Sequence, residues 1–214
     1  MNDNTLPVAR EGLPFIGLFA FITLVFALLG WSFLAVLFLA LTLFTVYFFR
    51  DPDRYSSAPE NAVLAPADGK IVFVGEVQED RFLKDEAIKV SIFMSVFNVH
   101  VNRVPFSGTV ATTFYNKGSF LNAELDKASL ENEQAGIGLE LGGGRKLLFV
   151  QIAGLIARRI VSYPKMDDAL ERGLRYGLIR FGSRVDVYLP KGTELQVHLG
   201  DRTTAGETVL GLLQ

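Results

Sequence analysis

The sequence contains no cysteine. Disulfides, thiolate metal sites and a cysteine nucleophile are therefore excluded, while the redox compartment stays open. Only two histidines occur, His100 and His198, so one chain cannot build a site from several histidines. Positive charge is not in excess either. The 21 Lys and Arg stand against 23 Asp and Glu, a formal net charge of -2. This argues against nucleic acid as the main partner, because phosphate contacts need clustered Lys and Arg. The last absence is local: from Leu13 to Phe49 no residue is charged. Hydrophobic residues make up 50% of the 214 positions, and this run carries the excess. The remainder reads as one globular domain of ordinary size.

A single bilayer crossing needs roughly 20 apolar residues. The run at 13–49 is too long for one straight helix and suits two short ones. Gly30-Trp31-Ser32 is the natural break, since Gly and Ser favour a turn and Trp suits the interface. The expectation is a tail at 1–12, a membrane helical hairpin at 13–49, a linker at 50–60 and a globular domain at 61–214. Arg10, Arg50 and Arg54 flank the run, which favours the cytoplasm for both ends and for the domain that follows. A cleaved signal peptide fits poorly, because its apolar core spans only about 7–15 residues. Within the run the polar residues are Thr23, Ser32, Thr42 and Thr45. Without an ionisable group in the span, an anchor is expected rather than a transport path.

Beyond the linker the pattern is mostly strand-like. Lys70 to Val77, Ala87 to Val96 and Gly108 to Tyr115 are apolar and β-branched, with clear alternation over Ile88 to Phe93. Gly138 to Leu141 and Lys146 to Ile152 are expected to pair around Gly142-Gly143-Gly144-Arg145, and Val185 to Leu189 and Leu195 to Leu199 follow. Helical candidates are few. Asn122 to Gln134 has good helix formers, Ile152 to Ile160 reads as strand continuing into helix, and Asp167 to Arg172 as a helical turn or loop. The fold class expected is a β-rich α+β domain. The Pro66-Ala67-Asp68-Gly69-Lys70 turn and the turn-rich stretch Gly200 to Gly211 add a hint of the hybrid β-barrels of lipoyl and biotinyl domains.

The stretch with the most chemical content is Ile179-Arg180-Phe181-Gly182-Ser183-Arg184-Val185-Asp186-Val187. A Gly-Ser step before a strand is commonly just a turn. It also permits a specific reaction. The Ser183 hydroxyl can attack the carbonyl of Gly182, whose missing side chain lets the peptide distort and leaves that carbonyl uncrowded. The amide becomes an ester, β-elimination cuts the chain, and the dehydroalanine left behind hydrolyses to a pyruvoyl group. Such an N-terminal ketone can condense with a substrate amine and act as an electron sink.

Four further segments stand in order before this one: Phe48-Phe49-Arg50-Asp51-Pro52-Asp53-Arg54; Ala65-Pro66-Ala67-Asp68-Gly69-Lys70-Ile71-Val72; Phe93-Met94-Ser95-Val96-Phe97-Asn98-Val99-His100-Val101-Asn102-Arg103-Val104-Pro105; and Lys117-Gly118-Ser119-Phe120 running on to Asn132-Glu133. As an ordered set that spans the chain from about Phe48 onward, they resemble the short bacterial and archaeal (type A) class of phosphatidylserine decarboxylase proenzymes. The resemblance implies an activity, phosphatidylserine to phosphatidylethanolamine plus carbon dioxide. It implies a covalent pyruvoyl cofactor made from Ser183 and two mature fragments, 1–182 and 183–214, that stay associated. Phosphatidylserine in the membrane is the implied partner, with a homo-oligomer possible in principle.

The resemblance also carries over to single residues. Asp68 matches the acidic residue of a Pro-Ala-Asp-Gly motif, which in the longer bacterial class forms a self-cleavage relay with a histidine and the serine. A turn-capping Asp in an Asp-Gly step is the alternative. In the longer class the relay histidine lies two positions before the proline, and here Arg103 stands there. His100 matches the other histidine of that class. It can serve as a shifted base, protonate the carbanion, orient the substrate, or simply be a satisfied buried side chain. The cleavage motif is Phe-Gly-Ser-Arg here, a form the short class shares, rather than Leu-Gly-Ser-Thr. Lys117, Ser119, Phe120, Asn132 and Glu133 are expected to bind the substrate, and His198 to be structural. Two other functions compete. Glu124-Leu125-Asp126-Lys127-Ala128 fits a lipoylation pattern, although its flanks read as helix or loop rather than as a hairpin tip. A non-catalytic membrane-anchored β domain explains the anchor and the strands but not the ordered motifs.

Overall fold

The computed structural model describes residues 6–119, 132–154, 159–180 and 182–214. The chain divides into two compact units, Met1–Asp53 and Arg54–Gln214.

The first unit contains α1 (Leu13–Leu28) and α2 (Ser32–Phe48). Pro14 sits in the first turn of α1, where its missing N–H costs no helical bond. Apolar side chains cover the helices all round rather than in a stripe, and Phe21, Leu28, Phe33 and Val36 are among those left exposed. The helices meet through rings, with Phe38 5.5 Å from Phe26 and 6.3 Å from Phe19. The hydroxyls of Thr23 and Thr42 turn back onto the carbonyls of Phe19 and Phe38, 2.8 Å each, and come within 3.5 Å of one another. Of the described helices, that spanning Arg10–Leu28 is long and apolar enough to cross a membrane, with a mean hydropathy of 2.0; Ser32–Phe48 is shorter. The chain on either side of the helices is tied together, with Ala9 N–H donating to Phe49 O and Asp51 N–H to Pro7 O, both 2.8 Å.

The second unit is built from strands β1 (Ala62–Leu64), β2 (Gly69–Glu79), β3 (Asp85–Met94), β4 (Val101–Arg103), β5 (Gly108–Asn116), β6 (Gln134–Glu140) and β7 (Lys146–Ala153). They are followed by β8 (Ile160–Ser162), β9 (Ala169–Leu170), β10 (Arg175–Ile179), β11 (Ser183–Pro190), β12 (Glu194–Leu195), β13 (Arg202–Thr203) and β14 (Val209–Leu212). Among the described residues, eight strands form one sheet curled as a half-barrel, in the order β13-β2-β3-β11-β7-β6-β5-β9. Two small sheets, β1-β14-β12 and β4-β10-β8, complete the unit. The alternation read in β3 puts Val90, Ile92 and Met94 into the main core, where they meet Val185, Val187 and Leu189 of β11. On the other face Leu148, Val150 and Ile152 pack under Phe82, Leu83, Phe114 and Tyr188. The loop that brings Phe82 and Leu83 there is fixed by the buried Glu79 carboxylate, which accepts the N–H groups of Arg81, Phe82 and Leu83 at 2.7–2.9 Å.

The main strands fall where the sequence pattern puts them, including the hairpin of β6 and β7 around Gly142–Arg145. Several local expectations do not hold. Asn122 to Gln134 lies mostly outside the described residues, and at its end Gln134 opens β6 instead of closing a helix. The apolar segment at 152–160 re-emerges as β8 at Ile160. Of the two readings of Asp167 to Arg172, helical turn or loop, the loop holds apart from the two-residue strand β9, with Asp167 at a φ of 69°. The strand read at Leu195 to Leu199 is confined to Glu194–Leu195. His198 lies at the surface, its side chain 90% exposed and 3.7 Å from Asp201.

β10 was not foreseen. Its Gly177 sits where a Cβ would collide with the carbonyl oxygen of Val161 on β8, so this strand pair needs a residue without a side chain. Gly177→Ala is expected to cost about 1–3 kcal/mol, the usual penalty for overpacking. Urea unfolding of the purified protein measures this, and an unchanged midpoint would contradict the close β8–β10 approach.

Candidate active site

Ser183 is the first residue of β11, and its position is set from both sides. Across one edge it faces Met94 of β3, and across the other Ala153 of β7. The residue is fully buried, and its Oγ donates to the Met94 sulfur at 3.4 Å. Gly182, just before it, has a φ of 51°. This is the left-handed region, which a residue with a Cβ enters only with strain. No neighbouring atom crowds the Cβ position of Gly182, so its conformation rather than space explains the glycine. The step therefore joins a left-handed backbone geometry to a fully buried hydroxyl.

Ala153 links Ser183 to residues expected at the site. The Asn132 side-chain amide donates to Ala153 O at 2.7 Å, and Ala153 N–H donates to Glu133 O at 2.9 Å. Glu133 N–H in turn donates to Ser119 O at 3.0 Å, and Ser119 and Asn132 form a parallel bridge. Ser119, Asn132 and Glu133 thus gather around the strand end that flanks Ser183. Asn132 and Glu133 are buried, while Lys117 and Ser119 are exposed. Phe120 lies outside the described residues. Tyr115, on β5, was not singled out from the sequence. Its phenol pKa is raised by desolvation, then by a hydrogen bond to the Glu133 carboxylate and that carboxylate's charge, with Arg159 opposing. A tyrosine at the end of an ordinary alternating strand gives no sequence signal of this pairing.

His100 is buried at the start of β4, and its Nδ1 lies 2.9 Å from Asn98 O. A carbonyl accepts only, so Nδ1 is the donor in this contact. The backbone carbonyl of His100 accepts from Ile179, the last residue of β10, at 3.4 Å. This couples the His100 turn to the segment that leads into Gly182. Arg103 is also buried, but it donates to Gly173 O at 2.9 Å, which is an anchoring contact.

Asp68 precedes β2, two residues ahead of Lys70, which faces Phe93 in β3. One carboxylate oxygen accepts Ala205 N–H at 2.8 Å, and the other pairs with Arg54 at 3.1 Å. Arg54 belongs to the Arg50–Arg54 motif that was legible in the sequence, but its partner was not, because the two are brought together only by the fold. Both side chains are less than a fifth exposed.

The family model for phosphatidylserine decarboxylase matches residues 41–211. The chain is 66% identical over 214 residues to the phosphatidylserine decarboxylase proenzyme of Syntrophotalea carbinolica, covering all of both chains. It is 56% identical over 213 residues to that of Geotalea uraniireducens, again over the whole of both, and 51% identical over 211 residues to that of Desulfotalea psychrophila, covering 99% of each. The chain belongs to the phosphatidylserine decarboxylase family.

The Arg54–Asp68 pair has a measurable consequence. Arg54→Ala leaves a mostly buried carboxylate with the Ala205 N–H and no cation, at an expected cost of about 1–3 kcal/mol. The Arg54→Ala/Asp68→Ala double variant should lose less than the sum of the two single losses. Strict additivity in urea unfolding would show that the two residues do not act on each other.

Proposed function

We propose that this chain is a self-processing proenzyme that cuts itself between Gly182 and Ser183. Membership of the family makes it a decarboxylase of phosphatidylserine in phospholipid biosynthesis. The observation that best supports the cut site is the Gly182 φ of 51° directly before a fully buried serine. The Ser183 Oγ attacks the Gly182 carbonyl carbon while its proton passes to a base. The C–N bond then breaks, and the Ser183 nitrogen takes a proton. Loss of the Ser183 α-proton expels the Gly182 carboxylate and leaves dehydroalanine. Addition of water and loss of ammonia convert this to a pyruvoyl group on residue 183.

The surroundings suit that group. The position is buried, and its cross-strand neighbours are Met94 and Ala153. Once formed, the group withdraws the electron pair released when carbon dioxide leaves the substrate. The other roles fall to the chain's own residues. His100 and Asp68 supply acid–base catalysis. Lys117, Ser119, Phe120, Asn132 and Glu133 bind the phosphoserine head group, with Lys117 suited to the phosphodiester. Fragment 183–214 stays in place through β11, which is paired to β3 and β7 on either side.

The proposed division of the chain is a tail at 1–12, a membrane helical hairpin at 13–49, a linker at 50–60 and a hybrid-barrel-like catalytic domain at 61–214 on the cytoplasmic face. A phospholipid pulled fully into water loses about 0.8 kcal/mol for each CH2 exposed. An anchored enzyme avoids that cost by working where the acyl chains remain in lipid. Alternatives without catalysis, including a lipoyl carrier at Lys127, are at odds with the family assignment.

Intact mass under denaturing conditions tests the central step. Wild type should give two fragments, 1–182 and 183–214, and Ser183→Ala one chain; a single unmodified chain in both would overturn it. The anchor has its own test. Deleting residues 1–49 should lower activity on phosphatidylserine vesicles more than on a short-chain soluble substrate, and equal loss on both would sink this role.

A further inference from the structure

The Ser183 hydroxyl donates to a thioether, and that thioether has a second donor. Asn102, fully buried in β4, directs its side-chain nitrogen at the Met94 sulfur, 3.6 Å away, and at Pro66 O, 3.5 Å away. Its oxygen accepts from the Gln151 amide at 2.8 Å. The Gln151 nitrogen also faces Val161 O at 3.5 Å. Two acceptors around the Gln151 nitrogen and a carbonyl beside the Asn102 nitrogen fix the orientation of both amides. Met94 and Gln151 are as deeply buried as Ser183. A line of contacts therefore runs from β7 through β4 and β3 to the hydroxyl on β11.

We propose that Met94 is a positioning residue for self-cleavage: its sulfur holds the Ser183 hydroxyl, and Asn102, backed by Gln151, holds the sulfur. The inference rests on cleavage at Gly182–Ser183. A buried hydroxyl needs a partner. A carbonyl or carboxylate would satisfy it strongly and resist giving it up. Sulfur is a weak, polarisable acceptor. It fixes the direction of the Oγ–H bond, leaves both oxygen lone pairs available, and costs little when the proton passes to the base and Oγ bonds to the Gly182 carbon. Flexible methionine does this with a fixed geometry only because the Asn102 amide restrains it.

The chain has three methionines, Met1, Met94 and Met166, so a single-atom test is available. A Met166→Leu chain is synthesised with methionine, with selenomethionine, or with norleucine, which replaces sulfur by CH2 at nearly constant shape. The rate of appearance of fragment 183–214 is then followed, and Tm is measured on matching Ser183→Ala chains. Norleucine should slow cleavage about tenfold with Tm unchanged, whereas selenomethionine should preserve the rate. Asn102→Ala should slow the methionine chain and add nothing in the norleucine chain. Equal rates with methionine and norleucine would overturn the proposal. So would a slower rate that tracks a lower Tm, because this would mark a packing role. Additive effects of Asn102→Ala and norleucine would overturn the part assigned to Asn102. If the methionine chain itself does not cleave, the fault lies with the cut site and not with the sulfur.

Discussion

The structure depends on the position of β11 in the middle of the large sheet, with Ser183 at its head. From Ser183 to Tyr188 the strand is paired with β3 on one side and β7 on the other. Its two faces are chemically opposite. Val185, Val187 and Leu189 enter the main core, and burying three such side chains contributes roughly 5–9 kcal/mol. Arg184 and Asp186 face the other way, paired at 2.8 Å, with Lys89 3.2 Å from the same carboxylate. A slip of one residue would drive these buried charges into the apolar core and bring the valines out. The register is therefore fixed from both faces, and with it the place of the serine. These forces all act on residues after 182, so a break in the chain before Ser183 removes none of them.

That fixed register also assigns the neighbours of the hydroxyl. Met94 and Ala153 stand beside Ser183 because β3 and β7 end there, and each brings a local network. Ala153 is held by Asn132 and Glu133, and Met94 by Asn102. The site is thus organised through backbone partners of the serine more than through side chains that reach for it. Gly182 marks the boundary of this order. It is half-buried where Ser183 is fully buried, and its left-handed φ turns the chain into the strand. A serine fixed in the sheet thus directly follows a glycine in the left-handed region, which glycine enters without strain.

How much of this the sequence revealed follows from the range of each interaction. Alternation over Ile88 to Phe93, the glycine-rich turn at 142–145 and the uncharged run at 13–49 are local patterns, and each was legible. β9 exists because Ala169 and Leu170 pair with Thr109 and Gly108, far away in the chain, so Asp167 to Arg172 read locally as a turn. β10 contains no clean period of two, and Gly177 in its middle suggests a break until β8 is seen packed against it. Gly182 and Ser183 drew notice for the chemistry a Gly-Ser step permits, and the ordered motifs turned that into a proposal. Met94 and Tyr115 were not singled out, because an apolar or aromatic residue on an alternating strand carries no mark of the polar partner that the fold supplies.

The groups proposed for acid–base catalysis are held by the same kind of contact. Arg103 stands where the longer class has its relay histidine, and its guanidinium donates to Gly173 O at 2.9 Å. Both oxygens of Asp68 are engaged, one by Ala205 N–H and one by Arg54. The His100 ring is oriented by its Nδ1, 2.9 Å from Asn98 O. The Asn98 side chain is itself clamped by Ser95, which follows Met94 directly and donates to it through N–H at 2.9 Å and hydroxyl at 2.8 Å. One short turn thus connects Met94, beside the Ser183 hydroxyl, to the His100 ring. Asp68 is fixed on the other side of the β2–β3 strand pair, before β2, so both groups proposed for acid–base catalysis are held by the fold on either side of that pair.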